Sequence, residues 1–298
     1  MIKLYAFIVN RFSGGGKASK ILVHMENTLK EKDISYQVYV TNRQHHATDL
    51  ARELSQKRET KAIIAVGGDG TVHEIINGMV GSDIPLGIIP AGSGNDFCRG
   101  MGIPLNYVHA LERIFKDERK LIDVGSINNE FFATIVGIGF DGKVARETNQ
   151  SQNKRILSLA GLGRISYIIN VLKVLLYYQP TNVDLIMNQE QSNHQHVWLI
   201  AIANSPFYAG GMMICPGAKN NDQLFDICIV KGISRWQLLR IFPSVFKGKH
   251  IKHPSVTILK AKELEISSPT PMMAHGDGEF LGETPFKIMI SPKTLCVL

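Results

Sequence analysis

The feature that most constrains the fold is Gly67-Gly68-Asp69-Gly70-Thr71, set directly after the apolar run Ala62–Val66 and opening a helical pattern. A strand that runs through a glycine turn into a helix is the repeating unit of a layered α/β domain. Glycines let the backbone approach a polyphosphate and turn its N–H groups toward it, and the helix N-terminus adds partial positive charge. Asp69 is then poised near phosphate and metal. The structural alternative, a tight turn with Asp69 as a helix cap, stands beside that reading.

The same alternation fills the first 120 residues. Leu4–Val9 reads as a strand, and Ile21, Leu22, Met25 and Leu29 recur at helical spacing. Tyr36–Val40 reads as a strand, Ala47, Leu50, Ala51 and Leu54 as a helix face, Leu86–Ile89 as a strand and Tyr107–Phe115 as a helix. A second loop, Pro90-Ala91-Gly92-Ser93-Gly94-Asn95-Asp96-Phe97, follows the strand after GGDGT and is expected on the same sheet edge, where two such loops build a ligand crevice. A third, Asn10-Arg11-Phe12-Ser13-Gly14-Gly15-Gly16-Lys17, lies between strand and helix and could cradle phosphates, but it lacks Walker A spacing.

After Leu121 the strand candidates crowd together: Phe131–Val136, Val183–Met187, Val197–Ala203, Phe225–Val230, Val256–Leu259, Leu264–Ser267 and Phe286–Ile290. That spacing predicts an antiparallel sandwich, interrupted by helices at Ile165–Leu176 and Ser234–Phe246. The expected division is an α/β domain over 1–122 and a sandwich over 123–298, with the last few residues able to return to the first domain.

At 298 residues, with 44% hydrophobic and 20% charged residues, the chain has the composition of a two-domain globular protein. Its net charge of +7 biases it toward anionic partners. Four cysteines without CxxC spacing give no zinc or disulfide framework and suit a cytoplasm. The most apolar stretch, Ile165–Tyr178, is short of the ~20 residues that span a bilayer, so membrane contact is expected to be peripheral. No nucleic-acid module is recognisable, and none is expected as a partner.

Taken together, GGDGT followed by PAGSGNDF, then Asn204-Ser205-Pro206-Phe207-Tyr208-Ala209-Gly210-Gly211, Pro216-Gly217-Ala218 with Asp222, and Gly276-Asp277-Gly278-Glu279, resembles the diacylglycerol kinase catalytic domain family, including bacterial soluble lipid kinases and sphingosine kinases. The resemblance covers almost the whole chain. It implies an N-terminal nucleotide-binding domain, a C-terminal β-sandwich and an active-site cleft between them. It also implies an ATP- and magnesium-dependent kinase acting on the hydroxyl of diacylglycerol or a similar lipid.

By the same resemblance, Asn10, Thr41, Gly67, Gly68, Asp69, Gly70, Thr71 and Ser93 contact ATP, with Ser13 and Gly14 from the third loop. Asp69, Asp96 and Asp123 hold magnesium and its waters, and Asp222 binds a structural magnesium with the carbonyls of Lys219 and Leu224. The chain departs from the family pattern at Arg11, where proline is frequent, and at Gln223, which follows Asp222 where a second aspartate of an Asp-Asp-Gly is frequent. Asp277 and Glu279 flank a glycine that can present both carboxylates from a sharp turn, one acting as base, and sequence does not say which.

The expected setting is the cytoplasm at the inner face of the membrane, with a lipid substrate and a possible homodimer. Lys154, Arg155 and Arg164, leading into the apolar helix with Tyr167, Leu172, Leu175 and Tyr178, offer a lipid-facing wall or a packing face. Lys247, Lys249, His250, Lys252 and His253 offer a basic cluster for anionic headgroups or a solvated face. The competing readings are an NAD kinase, which shares GGDGT, and a nucleotide- or lipid-binding relative without catalysis.

Overall fold

The computed structural model describes residues 3–150, 163–277 and 279–298. The chain divides into two units: residues 3–122 with Lys293–Leu298, and Asp123 onward to Pro292.

In the first unit, β1 (Leu4–Val9), β2 (Tyr36–Val40), β3 (Thr60–Gly67) and β4 (Leu86–Pro90) form a parallel sheet in the order β2-β1-β3-β4. β1, β3 and β4 are buried along nearly their whole length, which is why they read as continuous apolar runs. Between them run α1 (Ser13–Glu31), α2 (His46–Ser55) and α3 (Asp69–Met79), and after β4 come α4 (Asp96–Met101) and α5 (Tyr107–Lys116). At the far end of the chain Val297 pairs with Leu86, and the Leu298 N–H donates to the Leu86 carbonyl at 2.9 Å.

β5 (Lys120–Ile127) carries the chain into the second unit at Asp123. There β6 (Glu130–Phe132), β7 (Ile135–Gly139), β8 (Thr181–Met187), β9 (Glu190–Ala203), β10 (Phe207–Tyr208), β11 (Met212–Met213), β12 (Phe225–Lys231), β13 (Val256–Ala261), β14 (Glu263–Ser267), β15 (Met273–Gly276), β16 (Glu279–Glu283) and β17 (Phe286–Val297) are joined by antiparallel pairings. β9 is long enough to serve two layers, pairing β8 along its first half and β7 and β12 along its second. Its alternate residues face opposite cores. Ile200 and Ile202 join Val183, Phe225, Ile227 and Ile288 between the layers, while Leu199, Ala201 and Ala203 pack with Phe140, Val171 and Leu238 from the helices α6 (Phe140–Gln150), α7 (Gly163–Tyr177) and α8 (Arg235–Ile241).

Two expected elements are interrupted, and one pair of strands lies where none was expected. The helix expected over Ser234–Phe246 ends at Ile241 and continues as 3₁₀ turns, Phe242–Lys247 and Lys249–Lys252, because Pro243 has no N–H for another helical bond. The strand expected over Phe131–Val136 breaks at Ala133 and Thr134, whose N–H groups turn to the Asp277 carboxylate. β15 and β16 frame Asp277 as two short antiparallel strands that carry no period long enough to read.

Candidate functional site

In the first unit the loops that follow β1, β3 and β4 are tied to one another at the carboxyl ends of adjacent parallel strands. The chain runs from β1 out to β2 and then back to β3 on the other side of β1. The loops after β1 and β3 therefore flank the point where strand order reverses, the place where open α/β sheets bind ligands. The Ala91 N–H donates to the Gly67 carbonyl at 2.8 Å, joining the second loop to the first. Asn10 Nδ2 donates to Thr71 Oγ1 at 3.3 Å, joining the third loop to the start of α3. Thr41, at the end of β2, donates its N–H to the Val9 carbonyl at 3.0 Å.

Steric economy at the glycines explains how close these loops come. A Cβ on Gly92 would sit 2.5 Å from the Gly68 Cα, and one on Gly14, which has φ +59°, would sit 2.1 Å from the Ala91 carbonyl oxygen. The turn in the second loop is held by Asn95, whose Oδ1 accepts the Gly92 N–H at 3.0 Å while its Nδ2 donates to the Gly92 carbonyl at 2.9 Å. Ser13 is half-buried and Ser93 is exposed at the rim of the same loop cluster.

Asp69 and Asp96 are the acidic pair of this cluster. Asp69 Oδ1 accepts the Phe97 N–H at 3.1 Å, which anchors it to the first turn of α4. Asp69 Oδ2 and Asp96 Oδ2 both reach the position that a Gly94 Cβ would take, at 2.8 and 3.3 Å. Two hard carboxylates set at glycine-rich loops fit magnesium, which in phosphoryl-transfer sites takes one or two carboxylates and completes its shell with water and phosphate. Among the described residues no group of three or more His, Cys, Asp or Glu is gathered for a metal. Cys98, next in α4, is pushed far above the usual thiol range by burial, with the Asp69 charge adding to it.

Asp123 belongs to the second unit, fully buried, where its Oδ2 accepts the Gln223 N–H at 2.7 Å and its own N–H donates to the Asn220 carbonyl at 2.7 Å. The structure thus brings it together with the Asp222 loop. Asp222 Oδ1 accepts the Leu224 N–H at 3.2 Å, and its Oδ2 lies 3.3 Å from the Lys260 Nζ. The same ammonium is 3.0 Å from Asp226 Oδ2, because Asp226 and Lys260 face each other across the β12–β13 ladder. Asp226, then Asp222, hold Lys260 above the ordinary lysine range against the opposing effect of burial. Beside Lys219 and Leu224, where the resemblance implied a structural magnesium, the Asp222 and Asp226 carboxylates share the Lys260 ammonium.

Asp277 sits in the β15–β16 turn at φ +51°. Its carboxylate accepts the Ala133 and Thr134 N–H groups, each at 3.0 Å, and the Thr134 hydroxyl. Asn204 braces the Ala133–Thr134 segment that holds this carboxylate: its Nδ2 donates to the Asp123 and Ala133 carbonyls at 2.8 and 3.1 Å, and its N–H to the Thr134 carbonyl at 2.8 Å. Glu279 opens β16, half-buried. Two residues before Asp277, His275 Nε2 meets Asp141 Oδ2 at 3.1 Å in a buried pair that neither residue's sequence context announced. Only glycine fits opposite it, since a Cβ on Gly137 would lie 2.2 Å from Asp141 Oδ2 and 2.5 Å from His275 Nε2.

Asp141 also lines an apolar cavity walled by Phe140, Val171, Leu175, Leu199, Leu238 and Val245. Leu175 and Tyr178 of the expected apolar wall pack in this core, while Leu172 is exposed. Lys154 and Arg155 lie outside the described residues, as do the side chains of Arg164 and Tyr167. The four cysteines are free and buried. Among the described residues no helix is long and apolar enough to cross a membrane.

Residues 5–127 match the diacylglycerol kinase catalytic domain, and residues 134–298 match the YegS C-terminal NAD kinase beta sandwich-like domain. The chain is 32% identical to a diacylglycerol kinase of Mycobacterium tuberculosis over 98% of its own length and 93% of that protein. It is 34% identical to a diacylglycerol kinase of Staphylococcus haemolyticus, over 96% and 84%. A crystal structure of a diacylglycerol kinase from Bacillus anthracis superposes with a TM-score of 0.73 at 22% identity, covering 99% of this chain and 96% of that one, a likeness of fold. With both of its domains matched in order and its relatives aligned nearly end to end, the chain belongs to the bacterial diacylglycerol kinase-like family of lipid kinases.

Proposed function

We propose that the protein transfers the γ-phosphoryl group of ATP to the hydroxyl of diacylglycerol or a closely similar membrane lipid. The observation that carries the nucleotide half is the joining of the GGDGT and PAGSGNDF loops, with Asp69 and Asp96 converging at Gly94. Phosphoryl transfer asks little covalent chemistry of the protein and much positioning, which is what a rigid cradle of N–H groups provides. Magnesium, when bound with ATP, neutralises charge on the phosphate oxygens. Asn10, Thr41, Gly67 to Thr71 and Ser93 serve the nucleotide in this reading, and Asp69 and Asp96 the metal.

The acceptor half rests on Asp277 and Glu279. Asp277 already accepts from three donors and serves as a positioning group in this reading, so the proton of the attacking hydroxyl goes to Glu279. The cavity beside Asp141 suits an acyl chain, being apolar on nearly every wall.

Labelled ATP with magnesium and a panel of lipids in mixed micelles, together with NAD, tests the proposal. Label is expected in diacylglycerol or a near relative and is expected to vanish with Asp69→Asn. Label in NAD alone, or in no acceptor while ATP binds, would overturn it.

A further inference from the structure

From Ile227 to Lys262 the sequence has no acidic residue. Within that stretch Gly232–Ser255 carries five Lys or Arg and folds as α8 followed by the two 3₁₀ turns. Arg235 is taken up inside the unit, donating to the Tyr178 carbonyl at 3.1 Å. Arg240, Lys247, Lys249 and Lys252 are exposed. Interleaved with them are apolar side chains that water ordinarily disfavours: Trp236 is 77% exposed, Phe246 42% and Ile251 37%.

Each of these elements is amphipathic in the same sense. Their inward residues, Leu238, Leu239, Ile241, Phe242 and Val245, wall the apolar cavity, while Trp236, Phe246 and Ile251 face out. Aromatic and aliphatic side chains alternating with lysines suit a bilayer surface, where Trp settles at headgroup depth and lysine stems extend toward phosphates.

We propose that Gly232–Ser255 is the face by which the protein docks on an anionic lipid bilayer. Trp236, Phe246 and Ile251 enter the headgroup region, and Lys247, Lys249 and Lys252 pair with lipid phosphates. The inference rests on the lipid-acceptor reading above, but vesicle binding is measured without ATP, so either can fail alone.

The chain carries its own reporter, since it has two tryptophans and Trp198 is buried at 2% exposure. Phosphatidylcholine vesicles with phosphatidylglycerol are expected to shift the fluorescence of Trp236 to the blue and to sediment the protein, with binding that weakens as salt is raised. Pure phosphatidylcholine is expected to bind weakly. Replacing Lys247, Lys249 and Lys252 together by alanine is expected to weaken binding on the order of 100-fold, from about fivefold per lysine. Trp236→Ala with Phe246→Ala is expected to remove the binding that survives high salt.

Both variants are expected to keep wild-type activity on short-chain diacylglycerol in detergent micelles, which also shows that they fold. Absence of any spectral shift with anionic vesicles, or wild-type affinity in the lysine variant, would overturn the docking face. Docking that persists while no lipid is phosphorylated would instead overturn the kinase reading.

Discussion

Asp277 adopts a left-handed conformation that costs an ordinary residue about 1 kcal/mol, and it does so between two strands of one hairpin. The cost is offset by the Ala133 and Thr134 N–H groups and the Thr134 hydroxyl, all more than 140 residues away in sequence. From GDGE alone the two acids were equivalent. Their difference comes from those distant donors, which no local pattern records. Glu279→Gln is therefore expected to lower kcat by about 10²- to 10⁴-fold, the range of a lost general base, with an unchanged melting temperature. Asp277→Asn is expected to lower both kcat and stability, because its amide turns a donor toward an N–H that needs an acceptor, at a cost of about 1–3 kcal/mol. Steady-state kinetics and thermal melts of the two variants separate the roles. Equal melting temperatures would remove the structural role assigned to Asp277.

At the scale of elements, the parallel sheet and its loops were legible because their signals are local. Three buried strands read as apolar runs, and the glycine loops follow them directly. The mutual lock between GGDGT and PAGSGNDF follows from strands β3 and β4 being neighbours, which the expected sheet edge already required. The structure adds that the approach is backbone against backbone. Gly92→Ala is thus expected to push the two loops apart, since a Cβ 2.5 Å from the Gly68 Cα has no flexible side chain to displace. ATP affinity is expected to fall by more than tenfold, and titration calorimetry with a nonhydrolysable ATP analogue reads it. Retained affinity would mean that the loops carry slack. In the second unit the analogous position is Gly137, where alanine is expected to part His275 from Asp141 and cost about 1–3 kcal/mol in a thermal or urea melt. The breaks in this unit escaped the sequence because tertiary partners made them: Asp277 interrupts one strand, and β15 and β16 are too short for a period to show.

Across the whole molecule, the chain enters the second unit at Asp123 and returns to the first for its last six residues, where Arg113 Nε donates to the Leu298 carbonyl at 3.2 Å. The entry point is gripped by the Asn220–Leu224 loop through the Asn220 carbonyl and the Gln223 N–H. That loop is in turn fastened to the sandwich by Lys260, the cation shared by Asp222 and Asp226. Asp222 followed by Gln223 left the metal question open in the sequence, and what faces the carboxylate is a lysine from β13 that only the strand register delivers. If the ammonium does a metal's work here, chelation is expected to leave the melting temperature unchanged. Lys260→Met should then lower it by a few degrees, about 1 kcal/mol for an ion pair in which the lysine is partly solvated. Because two carboxylates then face each other without a cation, magnesium or calcium is expected to restore the stability of the variant and to leave the wild type unmoved. A wild type that melts earlier in EDTA and recovers with magnesium would show a resident metal at Asp222, and Lys260 would then be a neighbour rather than its substitute.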